Sequence, residues 1–591
     1  MKPLALVTLV LPSLILVACN RGPSSETSRN ASPTTTPPAA QGTPPAVQGA
    51  SSASPAMAGM TNVPASLDDW ARGAQLFDGL GSYHRKISTS SAAAQQYFDQ
   101  GMRLMWAFNH DESSRSFAKA VQLDPGCAIC LWGVALTVGP NYNMPMMAES
   151  RAKIAYGSVE RAKSLLGSAS PEEQALINAL QARYPHPTPL DPSNLQPVLI
   201  AYANEMRTVA DRFPRDSDIQ TMYAESMMNI NAWKLWSRAG EPAANTQLIV
   251  ATLERVLAHD PNHPGANHYY IHAMEASAQP QKALKSAERL GAMMPAAGHL
   301  VHMPAHIMQR VGRYSEAAEA NQKAAAADAV YLSRTQPLDY YPMYVAHNFQ
   351  FLAYSTAMEG RKAETLEAMK RMRTVFPEDA MLAMPGTDWY GAEPLMAMVR
   401  FGMWDEILAE PRPNPKLVSL TGGYLFARTA ALAARNRVAE AKQTVAELDA
   451  LRESLPADTP AALNSARDVL ALAAKIAQSR LQIAEHQREA AIDTLKQAVD
   501  LEDRLNYDEP ADWFFPVRHL LGAELLQAGH AREAEAVYRE DLRRNAENGW
   551  ALFGLVQALR SSGQAQEAGE VETRFKKAWQ RSDISLTASA M

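Results

Sequence analysis

From about residue 90 onward, polar and apolar positions lack the strict alternation that is typical of half-buried β-strands. Alanine, leucine, glutamate and arginine dominate this region, and all four are strong helix formers. The pattern therefore predicts an all-α protein. Because the chain has 591 residues, we expect either several domains or one extended array of repeats.

Residues 97–125, YFDQGMRLMWAFNHDESSRSFAKAVQLDP, predict a pair of packed helices. The stretch resembles a tetratricopeptide repeat, in which small residues let two antiparallel helices approach closely and a proline ends the second helix. The matching residues are Gly101, Ser113, Phe117, Ala120 and Pro125.

Further copies of the repeat are indicated by glycine-to-alanine turn signatures at residues 312–317, 529–534 and 563–568. The last two signatures lie 34 residues apart, which is the period of the tetratricopeptide repeat. Consistent offsets in several copies predict a tetratricopeptide-type helical-hairpin solenoid, in which stacked hairpins form a superhelix.

Histidines are concentrated in one part of this array. Eight of the 14 histidines lie between His259 and His347. His268 and His302 are 34 residues apart, as are His272 and His306. Residues four apart share a helix face, and equivalent positions of packed helices lie about 8–10 Å apart between axes. In this type of repeat those positions line the concave groove, so four imidazoles should point into one shared volume.

Imidazole binds zinc, copper, nickel and iron, so the cluster predicts a transition-metal site in the groove. The first-choice ligands are His268, His272, His302 and His306, and Glu275, His299 and His347 are second choices. Methionines flanking the histidines slightly favour copper over zinc. The HExxH motif of zinc proteases is absent from the sequence.

Three other interpretations of the histidines remain open. They could bind a peptide or small ligand without metal, or they could form a structural polar network. Pro304 could also start a helix of its own, which would leave His299 and His302 on an irregular segment.

Cys127 and Cys130 form the motif CAIC. In an exported protein such a pair forms a disulfide or serves as a redox or metal pair. Neither a haem-attachment histidine nor a thioredoxin-like βαβ pattern accompanies it. We therefore expect a structural disulfide or an auxiliary thiol pair for a soft metal.

The N-terminus has the pattern of an export signal. Residues 1–19 contain one lysine, an apolar run and a small residue before Cys19. The end of this run, LVAC, resembles a bacterial lipobox, which implies cleavage before Cys19 and acylation of its thiol. Residues 20–64 are rich in Ser, Thr, Pro and Ala and should be a disordered tether. Residue 20 is Asn, which favours an outer-membrane anchor facing the periplasm.

The remaining organisation follows from composition. We expect the histidine-bearing solenoid over residues 65–375, an irregular connection over 376–415, a second tetratricopeptide-like region over 416–583 and a tail over 584–591. The net charge is −6 and no basic stripe is present, so a nucleic-acid partner is not expected.

Residues 95 to about 375 resemble a group of exported bacterial tetratricopeptide proteins. The resemblance is carried by DPGCAICLWGVALTVGPNYN, NHYYIHAMEAS and GHLVHMPAHIMQRVGRY. It implies a fold and a location in the cell envelope, but no catalytic residue. Our leading hypothesis is a lipid-anchored scaffold that binds a protein or peptide partner and holds copper or zinc. The alternatives are a metal-free adaptor and, third, a metal-dependent enzyme, which fold alone cannot decide.

Overall fold

The computed structural model describes residues 63–144, 147, 149–186, 194–237, 240–335 and 341–591. The predicted signal peptide, Cys19 and nearly all of the predicted tether lie outside the described residues.

The first half of the described chain is a succession of helices. They are α1 (Leu67–Ala71), α2 (Ala92–Trp106), α3 (His110–Leu123), α4 (Ala128–Thr137), α5 (Glu149–Ser164), α6 (Pro171–Gln181), α7 (Gln196–Arg212), α8 (Ser217–Met228), α9 (Thr246–His259), α10 (Pro264–Glu275), α11 (Leu284–Met293), α12 (Gly298–His302), α13 (Pro304–Arg310) and α14 (Tyr314–Arg334). Short 3₁₀ helices cover Leu166–Ser168, Asn229–Asn231 and Pro280–Ala283.

The second half continues in the same manner. Its helices are α15 (Tyr341–Met358), α16 (Lys362–Val375), α17 (Glu378–Ala383), α18 (Glu393–Arg400), α19 (Trp404–Ala409), α20 (Val418–Ala434), α21 (Val438–Ser454), α22 (Ala466–Ala484), α23 (Arg488–Glu502), α24 (Val517–Gln527), α25 (Ala531–Arg544), α26 (Gly549–Ser561) and α27 (Ala565–Ala578), with a 3₁₀ helix at Thr387–Ala392. A short antiparallel ladder pairs β1 (Pro460–Ala461) with β2 (Asn464–Ser465).

Consecutive helices pack against each other as hairpins, for example α2 on α3, α15 on α16, α22 on α23 and α26 on α27. Neighbouring hairpins then stack, as α3 does on α4 and α25 on α26. The prediction of an all-α, tetratricopeptide-type array is confirmed.

Glycines set the close spacing of the helices at both ends of the array. A Cβ added at Gly101 or at Gly133 would lie 2.6 Å from a ring carbon of Phe117, so this ring is wedged between two glycines. Tyr538 is wedged between Gly522 and Gly554 in the same way, with added Cβ atoms 2.3 and 2.2 Å from its ring. Gly101, one of the small residues that the repeat pattern predicts, is therefore required by an aromatic ring.

The glycine turn signatures also have a structural cause. Gly312, Gly529 and Gly563 have φ of +78°, +83° and +81°, a left-handed conformation that glycine adopts without steric cost. The alanine five residues after each glycine is buried in the hairpin.

The predicted division of the chain at 376–415 is wrong. This segment contains α17, a 3₁₀ helix, α18 and α19, and it belongs to the same apolar core as the rest of the second half. The helices are too short to show a helical period in the sequence. The buried side chains form two clusters, one mainly from Trp70 to Met308 and one mainly from Tyr314 to Val571, so the change of core falls near residue 310.

Residues 584–591 are packed rather than a free tail. The hydroxyls of Ser589 and Tyr538 lie 2.6 Å apart, and Arg480 donates to the carbonyl oxygen of Met591 at 2.5 Å.

Distant parts of the chain contact one another. Helix α2 packs against α10. Before α2, Arg85 forms ion pairs with Asp216 and Asp218, at 2.9 and 2.6 Å. These contacts fold the first hairpin over the histidine-bearing helices. Within the described residues, none of the helices is long and apolar enough to cross a bilayer.

The wedged ring gives a test of the repeat packing. Replacement of Gly101 by Ala should lower the free energy of unfolding by about 1–3 kcal/mol, because the new methyl group overlaps Phe117. Gly569 is the matched control: it lies on α27 with open space around its Cα, so Gly569→Ala should be neutral or stabilise by about 0.5–1 kcal/mol. Chemical denaturation of both variants measures their free energies of unfolding. Equal changes in the two variants would contradict the close packing of Phe117 against Gly101.

Asp328 gives a pH-dependent test. Burial raises the pKa of this carboxyl from 3.8 to about 7, although Tyr341 and Asn348 donate hydrogen bonds to it. The folded chain thus holds the proton more tightly than the unfolded chain. The protonated Asp328 carboxyl contributes at most about 4 kcal/mol to the free energy of unfolding. This contribution is full below about pH 4 and is lost as the pH rises through 7. The free energy of unfolding should fall less steeply from pH 4 to pH 8 in Asp328→Asn; an unchanged slope would contradict the raised pKa.

Candidate histidine centre

Helix α10 carries two of the predicted ligands, His268 and His272. Its start is fixed by His263, whose Nδ1 accepts a hydrogen bond from the backbone N–H of Ala266 at 3.0 Å, and by Pro264 in the first turn. One turn separates the two imidazoles, so both lie on the same face.

Pro304 does not disrupt the next histidine-bearing segment. Helices α12 and α13 meet at Met303, whose backbone is itself helical, with φ −52° and ψ −34°. The proline occupies the first position of α13, where no amide donor is needed. His299, His302 and His306 therefore continue along one helical path, and the predicted register is kept.

All seven predicted ligands lie close together, on α10, α12, α13 and α15. Six of them are at most 5% exposed, and His347 is part-buried. The repeat pattern predicts that these side chains line an open concave groove. The structure instead places these side chains in the interior, because the first hairpin and a segment after α23 cover them.

The six histidines among these seven residues form two adjacent groups rather than one set of four, and Glu275 belongs to neither. The first triad is His268, His272 and His299, and the second triad is His302, His306 and His347. In each triad one ligand atom per residue lies within 4.8 Å of the others. The rings of His272 and His306 have centroids 5.9 Å apart, so the two triads are neighbours.

Hydrogen bonds fix the tautomers in the first triad. His268 donates from Nδ1 to the backbone carbonyl of Trp106 at 2.6 Å, and His272 donates from Nδ1 to Glu275 Oε1 at 3.1 Å. The Nε2 atoms of both rings are buried and have no hydrogen-bond partner. Each therefore presents a lone pair. An anchored Nδ1–H opposite a bare Nε2 is the arrangement of metal-ligating histidines.

His299 completes the first triad with two unpartnered nitrogens. Neither Nδ1 nor Nε2 has a hydrogen-bond partner, although the side chain is buried. The position depends on Gly298, since a Cβ there would lie 1.9 Å from a carboxylate oxygen of Asp328. One ligand atom of each of the three histidines lies within 4.8 Å of the others.

The second triad is already internally hydrogen-bonded. Asn321 donates from its amide to the carbonyl of Ala317, so its oxygen accepts from His302 Nδ1 at 2.6 Å. His302 Nε2 then accepts from His306 Nε2, 2.8 Å away. His347 Nδ1 donates to Gln350 Oε1 at 3.1 Å. A metal ion would have to displace the His306 proton here, whereas the first triad offers free lone pairs.

Two buried carboxylates adjoin the triads. Glu275 Oε2 lies 2.8 Å from His306 Nδ1, and Glu509 Oε2 is in direct contact with the same nitrogen. Glu509 lies after α23, on a segment where Tyr507 also donates to the carbonyl of Glu275 at 3.0 Å. Glu275 thus links His272 in the first triad to His306 in the second.

Burial lowers the pKa of most of these imidazoles. It holds the pKa of His268, His299 and His302 well below 6.5 and lowers that of His347 to about 4, with neighbouring histidines adding to the effect. These four rings are neutral at pH 7. His306 differs: burial opposes its charge, but Glu275 and Glu509 outweigh it and raise its pKa.

The pKa values of Glu509 and Glu275 shift in opposite directions. Burial favours the neutral acid in both, and in Glu509 it prevails, so the pKa is raised. In Glu275 the neighbouring His272 and His306 outweigh burial and lower the pKa.

Aromatic rings surround the first triad. Phe108 has φ of +54°, a left-handed conformation that is rare outside glycine, in the turn between α2 and α3. Its ring centroid lies 4.5 Å from that of His268 and 5.6 Å from those of His272 and His299. The ring centroid of Tyr344 lies 4.5 Å from that of His299. These rings exclude water from the nitrogens.

Sequence reasoning missed the residues that orient and complete the cluster. Glu509, the carbonyl of Trp106, Asn321 and Gln350 lie outside the repeat positions that carry histidine. The one signal for Glu509 was its place in the acidic and aromatic stretch YDEPADWFF, residues 507–515, which no repeat pattern explained.

Cys127 and Cys130 are joined by a disulfide at the start of α4, and both are fully buried. The pair contributes to neither triad. Cys19, the predicted lipidation site, lies outside the described residues.

The described chain thus forms a tetratricopeptide-type array around a buried histidine centre. No protein-family model and no curated protein matches the sequence.

Solved structures similar to this chain are helical-repeat proteins. The human IFIT1 dimer with m7Gppp-AAAA is 12% identical, covers 76% of this chain and 90% of its own, and has a TM-score of 0.33. Yeast Tom70 is 11% identical over 82% of this chain and 91% of its own, with a TM-score of 0.28. The Cut9–Hcn1 hetero-tetramer of the APC/C is 13% identical over 85% of this chain and 79% of the other, with a TM-score of 0.31. At these scores the likeness carries no argument about the histidines.

Proposed function

We propose that the protein binds one transition-metal ion, copper or zinc, at the first triad. The observation that carries the proposal is that His268 and His272 each anchor Nδ1–H and leave a buried Nε2 lone pair without a partner, next to the unpartnered nitrogens of His299. Neutral imidazole is a preferred ligand of both metals.

Energetics support a ligand at these atoms. A buried polar group without a hydrogen bond costs about 1–3 kcal/mol, and the first triad leaves several such nitrogens in one small volume. A shared ion would satisfy at least three of them together. A purely structural network would instead pair the nitrogens with each other, as the second triad does.

Charge also favours a cation. A buried ion needs compensating charge nearby. The carboxylate of Glu275 contacts His272 directly. Glu275 and Glu509 both contact His306. The second triad and these carboxylates would then act as the outer shell that orients the ligands and balances the ion.

We further propose that the metal-binding chain is an exported scaffold for a protein or peptide partner. The support for export is the lipobox-like N-terminus and the Cys127–Cys130 disulfide, since disulfides persist in oxidising compartments. Anchoring through Cys19 in the outer membrane, with the array facing the periplasm, follows from the same N-terminal pattern. The support for partner binding is the stacked-hairpin array, which offers an extended surface.

The metal assignment predicts a defined stoichiometry. After dialysis against zinc or copper, the purified chain should retain one ion, measured by elemental mass spectrometry. His272→Phe/His299→Phe keeps ring packing but removes two ligands, so it should retain less than a tenth of that amount. X-ray absorption of the loaded protein should show imidazole nitrogen around the metal.

His110→Phe is the matched control. His110 is buried, its two nitrogens have no hydrogen-bond partner and its ring lies 5.6 Å from Phe108, but it belongs to neither triad. This variant should keep the full metal content. Equal content in the double variant and the wild type would refute the site, and a wild-type chain that retains no ion would favour the metal-free adaptor.

Binding should also stabilise the fold. An ion that binds only the folded chain at 100 times its dissociation constant adds about 2.7 kcal/mol. Loading with metal should therefore raise the melting temperature of the wild type and of His110→Phe, and a chelator should reverse the rise. The double variant should melt at the same temperature with and without metal. A metal-dependent rise in that variant would place the binding elsewhere.

A further inference from the structure

Residues 583–591, which we call the tail segment, form neither helix nor strand and lie across the second half of the array. Ser585 and Thr587 are exposed, whereas Ile584 and Leu586 are half-buried and pack against the apolar core. Every second side chain in this stretch therefore faces the array. The segment contacts the start of α16, then α24, α25 and α22, so it crosses several hairpins.

Asp583 caps helix α16. Its carboxylate oxygens accept from the backbone N–H groups of Lys362 and Ala363, at 2.6 and 2.9 Å. Arg361, the residue before α16, makes no side-chain cap of its own. The first N–H groups of a helix have no partner inside the helix and attract a carboxylate. Asp583 therefore supplies, from 220 residues further along the chain, a cap that α16 otherwise lacks.

Ser589 and Met591 anchor the other end of the tail segment. The hydroxyl of Ser589 donates to the carbonyl of His519 at 2.7 Å and accepts from the hydroxyl of Tyr538 at 2.6 Å. Ser589 is only 2% exposed. Arg480 donates to the carbonyl oxygen of Met591. Polar anchors thus lie at both ends, with apolar contacts between them.

The tail segment is held by side chains rather than by backbone pairing. Within the described residues, its one backbone–backbone hydrogen bond to a distant part of the chain joins Asp583 N–H to the carbonyl of Gly360, at 3.4 Å. Segments with few backbone hydrogen bonds and half-buried side chains open locally at low cost in free energy. The segment can therefore leave the array without disrupting a helix or a ladder.

The residues just before the tail segment allow such a movement. The ring of Trp579 is wedged between Gly360 and Gly549, where added Cβ atoms would lie 2.3 and 2.1 Å from it. Gln580 and Arg581 follow and are both exposed. Trp579 can therefore stay fixed while the tail segment moves away.

We propose that the tail segment occupies a groove that binds a non-helical partner peptide of the same chemistry. The partner carries a carboxylate for the start of α16, apolar side chains one and three residues later, and a hydroxyl six residues later. These are the positions of Asp583, Ile584, Leu586 and Ser589. The proposal rests on the proposed scaffold function and names its surface and the class of peptide. Because both peptides need the same N–H groups, the partner displaces the tail segment.

The covalent connection sets the expected competition. A segment joined through a short flexible linker competes at an effective concentration on the order of 1 mM. A free peptide at micromolar concentration should therefore bind weakly to the wild-type chain, in which the groove is filled. It should bind much more tightly once the groove is emptied.

The probe is a fluorescein-labelled synthetic peptide of residues 581–591, and its binding is measured by fluorescence anisotropy. The full chain with Asp583→Lys/Leu586→Asp loses the cap and one apolar contact of its own tail segment, so its groove should be empty. This variant should bind the probe at least tenfold more tightly than the wild type does. Equal affinities, or no binding by the variant, would overturn the proposal.

Two controls test whether the contacts carry the binding. Ser585→Lys/Thr587→Asp changes two exposed side chains of the same segment. This variant should keep its groove filled and bind the probe as weakly as the wild type. A probe that itself carries Asp583→Lys and Leu586→Asp should bind the emptied groove at least tenfold more weakly than the original probe. Equal binding of the two probes would overturn the assignment of these side chains.

Rescue by the probe separates an empty groove from a misfolded chain. Asp583→Lys/Leu586→Asp loses contacts of the second half, so it should melt at a lower temperature than the wild type. A ligand that binds only the folded chain stabilises it. Saturating unlabelled probe should therefore restore at least half of the lost melting temperature. An unchanged melting temperature would contradict binding in the groove.

The groove and the scaffold function fail in different ways, because the probe titration needs no natural partner. If the emptied groove binds the probe but the chain captures no partner, the groove stands and the scaffold function is refuted. If the probe does not bind, the groove is refuted, whatever partner the array binds on another surface.

Discussion

A buried imidazole has two nitrogens, and each needs a partner once water is excluded. In the first triad the fold supplies an acceptor for the Nδ1–H of His268 and of His272 but no donor for the Nε2 of either ring. The need to pair these nitrogens accounts for the contacts around the first triad. The carbonyl of Trp106 reaches His268 only because the first hairpin closes over α10, and the aromatic rings around the triad keep competing water away.

The two triads show how one repeat unit gives two outcomes. His268 and His272 occupy the same relative positions as His302 and His306, yet only the second pair is joined by a hydrogen bond. Asn321 turns His302 so that its Nε2 faces His306, and two carboxylates favour the proton on His306. The neighbouring residues, more than the histidines themselves, decide which nitrogens remain available.

The sequence could predict the helical array and the convergence of the histidines, because both follow from a local period. Gly101, Phe117 and the 34-residue spacing of His268 and His302 carry that information within a few helical turns. It could not predict Glu509, which comes to His306 from more than 200 residues further along the chain. The period also placed the histidines in an open groove. Their burial depends on long-range contacts such as α2 on α10 and Tyr507 on Glu275.

The histidine centre is assembled from distant segments of the described chain. Trp106 and Phe108 come from the first hairpin, the histidines from the middle, and Glu509 from the segment before α24. A nascent chain that ends before residue 509 lacks one carboxylate beside His306 and the segment that covers it. The centre is therefore complete only after residue 509 has been synthesised and its segment has packed against His306.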